Sequence, residues 1–326
     1  MNKFKVFIFD LFFVISSVIG VGFATGKEIE HFFLGGKSIV IAVVVFCVVF
    51  VALSIYLLHI KNKHNIDTLS KLNKFAFGKH YEIGNIVLFV MFIVTSAAML
   101  AGCDNLAKNY LAINLPIVSI FLSIITFFIV IGGINRIKII ANVITPILIV
   151  AIIINTCFNM KTGSCLNGNI SIDIIYPIIF CSENFITVIS VLLTTKSKPK
   201  HLSLASGIVI SILVLVSALA IKNISADMPM LALSKNVGNM FFAGYLLSVI
   251  FAIFTTLEIS TYYCLQLANK NYTQKYFALL LIIITSQIIA YLGFNFIVKY
   301  LYTGVGIMSA IYLIALIIKL IINKNK

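Results

Sequence analysis

The chain has 326 residues, of which 61% are hydrophobic and only 10% charged, with a mean hydropathy of +1.12. A water-soluble domain has no use for so much apolar surface, so composition excludes one and points to a membrane protein with several spans. The net charge of +14 would otherwise suggest nucleic acid as a partner. The lysines, however, gather in short segments between apolar runs, which is how membrane loops are built.

At about 20 residues per crossing, ten predicted spans follow in chain order: 6–34, 38–59, 81–107, 115–133, 137–158, 172–195, 202–221, 239–267, 275–296 and 301–322. With the N-terminus inside, seventeen Lys and Arg fall in cytoplasmic segments and seven in external ones. That is a positive-inside bias, and an odd number of spans would scramble it. The expectation is a multi-pass protein of the plasma membrane, both termini cytoplasmic, forming one transmembrane domain over 1–326. Met1–Lys5 followed by Val6–Ile19 resembles a signal peptide, but Asp10 interrupts the apolar run, so the segment reads as a retained span. The longest predicted loops are a basic connector at 59–80 and an external one at 223–239.

The first span has the wrong composition for an unbroken helix. Gly20-Val-Gly22-Phe-Ala-Thr-Gly26-Lys27-Glu28 puts three glycines, a threonine and two charges where the backbone lies deepest in hydrocarbon. Glycine is a poor helix former, and lipid satisfies no freed backbone group, so a break is tolerated only where protein buries it or it lines a cavity. Broken helices near the midplane form transporter binding sites. Unwinding would turn the N–H groups of Val21, Gly22 and Phe23 toward an anionic group, with free carbonyls on the other side suited to a cation. The bland alternative is that Gly22 and Gly26, a G-x-x-x-G pair, let two helices approach closely. The spacing does not fit a dinucleotide fingerprint.

The sixth span carries a second polar interruption, Tyr176-Pro177-Ile-Ile-Phe180-Cys181-Ser182-Glu183-Asn184-Phe185. The two interruptions lie half a chain apart, with five spans in each half (1–158 and 171–326). An odd number per half makes the halves oppositely oriented, an inverted repeat with broken first and sixth helices. Glu183 in mid-span marks a functional site by default. It could hold a substrate ammonium, carry a proton, or merely cap freed backbone N–H groups, with Ser182 and Asn184 adding neutral hydrogen bonds. The eighth span reads Ala252-Ile-Phe-Thr255-Thr256-Leu-Glu258. Two adjacent hydroxyls and a carbonyl could form a cation site of oxygen ligands, although mid-span threonines usually bond back to their own helix. Glu258 needs a partner or access to water. The six cysteines and five histidines show no zinc-ligand spacing, and Cys157 with Cys165 is the one pair placed to meet at the outer face.

The run Ile19-Gly-Val-Gly-Phe-Ala-Thr-Gly-Lys-Glu-Ile-Glu-His-Phe-Phe33 resembles the opening motif of the YkvI-like family of bacterial membrane proteins, and Met99-Leu-Ala-Gly102 resembles that family's third helix. The resemblance implies membership of the amino acid–polyamine–cation superfamily, with the LeuT-type fold of five plus five inverted helices. It also implies a sodium site made of the Ser16 and Ile19 carbonyls, the Ala252 carbonyl, and the Thr255 and Thr256 hydroxyls. Some proton-coupled relatives place a lysine from the fifth helix there, whereas the only basic residue within the predicted fifth span is Lys138, at its cytoplasmic end. Sodium is thereby favoured as the coupling ion, with a proton as the alternative that the Glu183 and Glu258 carboxyl groups would serve.

The resulting expectation is a cation-coupled secondary transporter of a small zwitterionic or amine-bearing solute, an amino acid first among them. The first break would take the solute's carboxylate through Val21, Gly22, Phe23 and Gly26. Its amine would go to Glu183 or to carbonyls near Cys181–Asn184, with Glu258 in the same region. No organic cofactor or nucleic acid is expected, only a solute, a coupling ion and the bilayer; the sequence does not fix the oligomeric state. A receptor that binds a nutrient without net transport is the alternative. An intramembrane enzyme lacks support, since no Ser/His or paired-Asp constellation is present.

Overall fold

The computed structural model describes residues 3–160, 168–268 and 274–324, and these residues are helical almost throughout. The order begins with α1 (Lys3–Ser16), α2 (Val21–Thr25) and α3 (Lys27–Phe33), followed by α4 (Ile39–His64), α5 (Leu69–Phe77), α6 (Tyr81–Leu111), α7 (Ile117–Ile131) and α8 (Ile134–Asn159). It continues with α9 (Ile170–Thr194), α10 (Pro199–Ile221), α11 (Pro229–Val237), α12 (Asn239–Ala268) and α13 (Lys275–Ala290). A single turn, α14 (Phe294–Phe296), leads through a π-helical stretch, Ile297–Tyr302, into α15 (Thr303–Lys324). Among the described residues, seven helical stretches are long and apolar enough to cross a membrane, and α7 and α13 are shorter apolar helices. Large side chains such as Val48, Ile86, Phe128, Val143, Phe158 and Ile311 stand well exposed on the outer faces of these helices, where water would reject them and lipid accepts them.

The first span is interrupted, as its glycines imply. α1 ends at Ser16, four residues unwind, and Gly20 takes an extended conformation before α2 begins. A second interruption falls at Gly26, whose φ of 83° lies in the left-handed region that glycine enters without steric cost. The sixth span departs from expectation. α9 runs unbroken from Ile170 to Thr194 with Pro177 inside it. Its polar side chains bond the preceding turn instead of drawing the backbone apart: Ser182 Oγ donates to the Ile178 carbonyl at 2.8 Å and Asn184 Nδ2 to that of Phe180 at 3.1 Å. Back-bonding of this kind lets a polar stretch remain helical in an apolar setting. The expectation of a broken sixth helix is therefore corrected to a continuous one.

The predicted loops hold more structure than expected. α4 reaches His64, and α5 occupies most of the connector: Thr68 caps it by accepting the Lys71 N–H at 3.3 Å, and Leu69, Leu72 and Ala76 turn inward. Pro229 opens α11 in the loop expected to be external, at a helix start where a missing N–H costs nothing. Cys165 lies outside the described residues, so its pairing with Cys157 is not addressed by them. Two groups of helices emerge from the packing. α4, α9 and α10 pack together with α1 and α3 against them, while α6, α8 and α13 gather around α12.

A buried polar chain fastens α5 to the rest: Tyr312 on α15 donates to Asn73 Oδ1 at 2.6 Å, and Asn73 Nδ2 donates to Asn85 Oδ1 at 2.8 Å. Tyr312→Phe strands the Asn73 oxygen, which is fully buried. We expect a loss of about 1–3 kcal/mol of stability, read as a lower unfolding midpoint in detergent with unchanged chain packing by gel filtration.

Candidate functional site

Unwinding after Ser16 leaves carbonyls that no helix answers, and side chains from two other helices meet them. Thr256 Oγ1 on α12 lies 3.3 Å from the Ser16 carbonyl oxygen and 3.4 Å from that of Ile19. Thr187 Oγ1 on α9 donates to the Ser17 carbonyl at 2.9 Å. Further along, Tyr245 on α12 donates to the Ala24 carbonyl at 2.8 Å. The neighbouring hydroxyl, Thr255, bonds the Ala252 carbonyl of its own helix at 3.1 Å. Of the five oxygen ligands expected for a cation, Thr256 meets the Ser16 and Ile19 carbonyls, whereas Thr255 and Ala252 bond each other within α12. Carbonyl and hydroxyl oxygens are the ligand type that hard cations take.

On the N–H side, the Val21 amide points to Met99 Sδ at 3.5 Å. A Cβ added to Gly20 would meet Met99 Cε at 2.9 Å, and one on Gly102 would meet Val21 Cγ2 at 2.4 Å. Close approach therefore belongs to Gly20 and Gly102, where the break meets α6. Gly22 does something else. A Cβ there would fall 2.0 Å from Glu28 Oε1, so the Glu28 side chain lies directly across the Gly22 α-carbon. The turn at Gly26 folds the chain so that a residue six positions ahead covers the break.

Glu28 is 3% exposed and stands within electrostatic reach of Glu183, which is 6% exposed. Tyr302, from the π-helical stretch before α15, lies within reach of both carboxyl groups. Glu183 Oε2 accepts from Asn184 Nδ2 at 2.8 Å. Among the described residues no lysine or arginine stands close enough to act on either acid, and two buried acids sharing one neighbourhood are costly unless a proton or a cation joins them. π-helical turns occur disproportionately at functional sites. Sequence reading picked out Glu183 and missed Glu28 and Tyr302 as members of the group. Glu28 was visible as a charge after the glycines, but only the turn at Gly26 brings it back over Gly22. Nothing in the local sequence of Tyr302 signals its place.

Cys181 and Ser182 are buried in the same stretch of α9, with Ser182 bonded to its own helix. Phe23 is buried in α2, and Gly26 supplies the turn. Glu258 is fully buried, and neither carboxyl oxygen has a hydrogen-bond partner. Among the described residues no charged group acts on it, whereas Glu28 and Glu183 act on each other. Among the described residues, no cluster of three His, Cys, Asp or Glu side chains is placed to hold a metal ion.

No family model matches the chain. It is 22% identical over 336 residues to the uncharacterized protein YyaD of Bacillus subtilis (strain 168), with 96% of each chain covered. Among solved structures, it is similar to a Na+-coupled sialic acid symporter in its substrate-bound outward-open state, with a TM-score of 0.67, 14% identity, and coverage of 96% of this chain and 78% of that one. It is also similar to Mhp1, a nucleobase-cation-symport-1 family transporter in a closed conformation with bromovinylhydantoin bound, with a TM-score of 0.58, 13% identity, and coverage of 93% and 74%. The chain therefore has the fold of cation-coupled membrane transporters.

Burying Glu258 with neither oxygen paired costs about 1–3 kcal/mol. Glu258→Leu removes the polar group and is expected to raise the thermal unfolding midpoint. A lower midpoint would reveal a stabilising partner for the carboxyl group.

Proposed function

We propose that the protein is a cation-coupled secondary transporter of a small amine-bearing solute, with an amino acid as the first candidate, working by alternating access in the plasma membrane. The observation that carries this reading is the meeting of the Thr256 hydroxyl with the Ser16 and Ile19 carbonyls at a broken membrane helix. A break in hydrocarbon is costly, and lining a binding site is the usual reason for one. On this reading sodium is the coupling ion, held by those three oxygens with Thr255 and Ala252. It would supply positive charge at the free carbonyls and so favour the geometry of the break that the solute binds.

Ten spans in two inverted halves of five accompany this proposal: the broken first span, the seven long helical stretches, and the two shorter helices α7 and α13. Both termini are assigned to the cytoplasm by the lysine distribution. Membership of the YkvI-like family rests on the motif at 19–33 and on Met99 and Gly102, the α6 residues that touch the break.

Glu28 modifies the expected division of labour. A carboxyl group lying over Gly22 repels a solute carboxylate at the Val21–Phe23 amides, unless that acid is protonated, and attracts an amine. We therefore assign the solute's amine to the space between Glu28 and Glu183, with Cys181, Ser182 and Asn184 alongside. The chain is not assigned as an enzyme.

Proteoliposome uptake of labelled amino acids and polyamines, with an inward sodium gradient, an inward proton gradient or none, tests the proposal. We expect sodium-driven accumulation. Binding without accumulation under any gradient would favour a receptor. Thr256→Ala should lower sodium-stimulated uptake by about tenfold or more, the scale of one lost oxygen ligand at about 1.4 kcal/mol. Glu28→Gln and Glu183→Gln should each abolish solute binding while leaving a folded, monodisperse protein. Wild-type solute affinity in either would remove that residue from the site.

A further inference from the structure

Two buried aspartates outside the site repeat one arrangement at opposite ends of the molecule. Asp10 Oδ2, on α1, accepts the backbone N–H groups of Lys196 at 2.8 Å and Ser197 at 3.0 Å, and the Ser197 hydroxyl at 2.7 Å. Asp173 Oδ2, in the first turn of α9, accepts the backbone N–H groups of Lys37 and Ser38, each at 2.8 Å. Lys196-Ser197 is the corner before α10, and Lys37-Ser38 the corner before α4. Each aspartate thus sits on the leading helix of one half and grips the corner before the second helix of the other half. Both corners read Lys-Ser. Asp10 and Asp173 are 163 positions apart, and the two Lys-Ser pairs 159. The contacts flank α9, a 25-residue helix. At 1.5 Å per residue this separates them by about 35 Å, enough to span a bilayer's hydrocarbon core of about 30 Å.

We propose that Asp10 and Asp173 are a symmetry-related pair of end latches, each holding its own end of the solute path closed. The proposal rests on the transporter reading and its two inverted halves. Loss of the Asp10 bonds would free α1, which joins the rest of its span only through the unwound residues after Ser16 and is therefore hinged. Loss of the Asp173 bonds would free the Lys37-Ser38 corner and the end of α3 that leads into it.

The two latches differ in strength. Around Asp10, Lys61 Nζ donates to the carbonyls of Leu192 (3.0 Å) and Thr195, and Lys138 Nζ donates to that of Thr194 at 3.0 Å. Both lysines stand within electrostatic reach of Asp10. Among the described residues, Asp173 has two donors instead of three, and its Oδ1 is buried without a partner. Hydrogen bonds to ionised carboxylates gain from added donors and nearby cations, so the Asp173 end is the weaker and opens first.

Sided labelling of Cys181 tests this. Cys181 is fully buried in the middle of α9 and becomes reachable only when an end opens. With Cys181 as the sole cysteine in the full chain, its reaction with a charged, membrane-impermeant methanethiosulfonate is timed in right-side-out and inverted vesicles. Asp173→Asn should accelerate labelling about tenfold from the Asp173 side alone, and Asp10→Asn to a similar degree from the Asp10 side alone. Milder variants cover the case in which an Asp→Asn chain fails to fold. Gly36→Ala places a Cβ 1.7 Å from Asp173 Oδ1 and should behave like Asp173→Asn, while Ser197→Ala removes one of the three Asp10 donors and should give a weaker form of Asp10→Asn. Rates equal to the parent's, or raised alike from both sides, would overturn the latch assignment. The labelling needs neither solute nor gradient, so its failure leaves the uptake measurement to judge the transporter reading separately.

Discussion

A backbone that stops being helical inside a membrane must find partners for its carbonyls and amides within the protein. That constraint organises the centre of this molecule. The carbonyls of Ser16, Ser17, Ile19 and Ala24 each receive a hydroxyl from another helix, from Thr256, Thr187, Thr256 and Tyr245 respectively. α9 and α12 are held against the first span by these bonds as well as by packing. The same oxygens that make the break tolerable make it a receptive place for a cation, because a hydroxyl that can satisfy a carbonyl can also join it in facing an ion.

Acidic side chains are the second organising element. Of the ten Asp and Glu in the chain, Asp10, Glu28, Asp173, Glu183 and Glu258 are buried. They fall into three situations. Asp10 and Asp173 receive backbone N–H groups and act as fasteners between distant corners of the fold. Glu28 and Glu183 share one neighbourhood around the break and create a negative field that only a proton or a cation relieves. Glu258 has neither donor nor counter-charge among the described residues. Identical chemistry thus serves attachment in one case and recruitment of positive charge in another, and the supply of donors decides which.

The class of the protein, the interrupted first helix and most span limits were legible from composition and hydropathy, because lipid penalises polar groups strongly over segments of fixed length. The unbroken sixth helix was not. A run such as Pro177 to Asn184 reads the same whether its hydroxyl and amide groups bond a solute, a freed backbone or their own preceding turn, and here Ser182 and Asn184 chose the last. Glu28 escaped for a related reason. Its distance from Gly22 along the chain places it on another face of an α-helix, and the left-handed turn at Gly26 brings it back.

The sequence by itself determined that this chain lives in lipid, that its lysines gather in the predicted cytoplasmic loops, and that the glycines near residue 20 interrupt a helix. These are consequences of transfer energies and local backbone freedom, which act residue by residue. Only the tertiary structure decided which oxygens face the break, that Glu28 and Glu183 come within electrostatic reach of each other, and that Asp10 and Asp173 grip matching Lys-Ser corners. Those facts depend on contacts between residues more than a hundred positions apart or on one unusual torsion, and no local pattern encodes them.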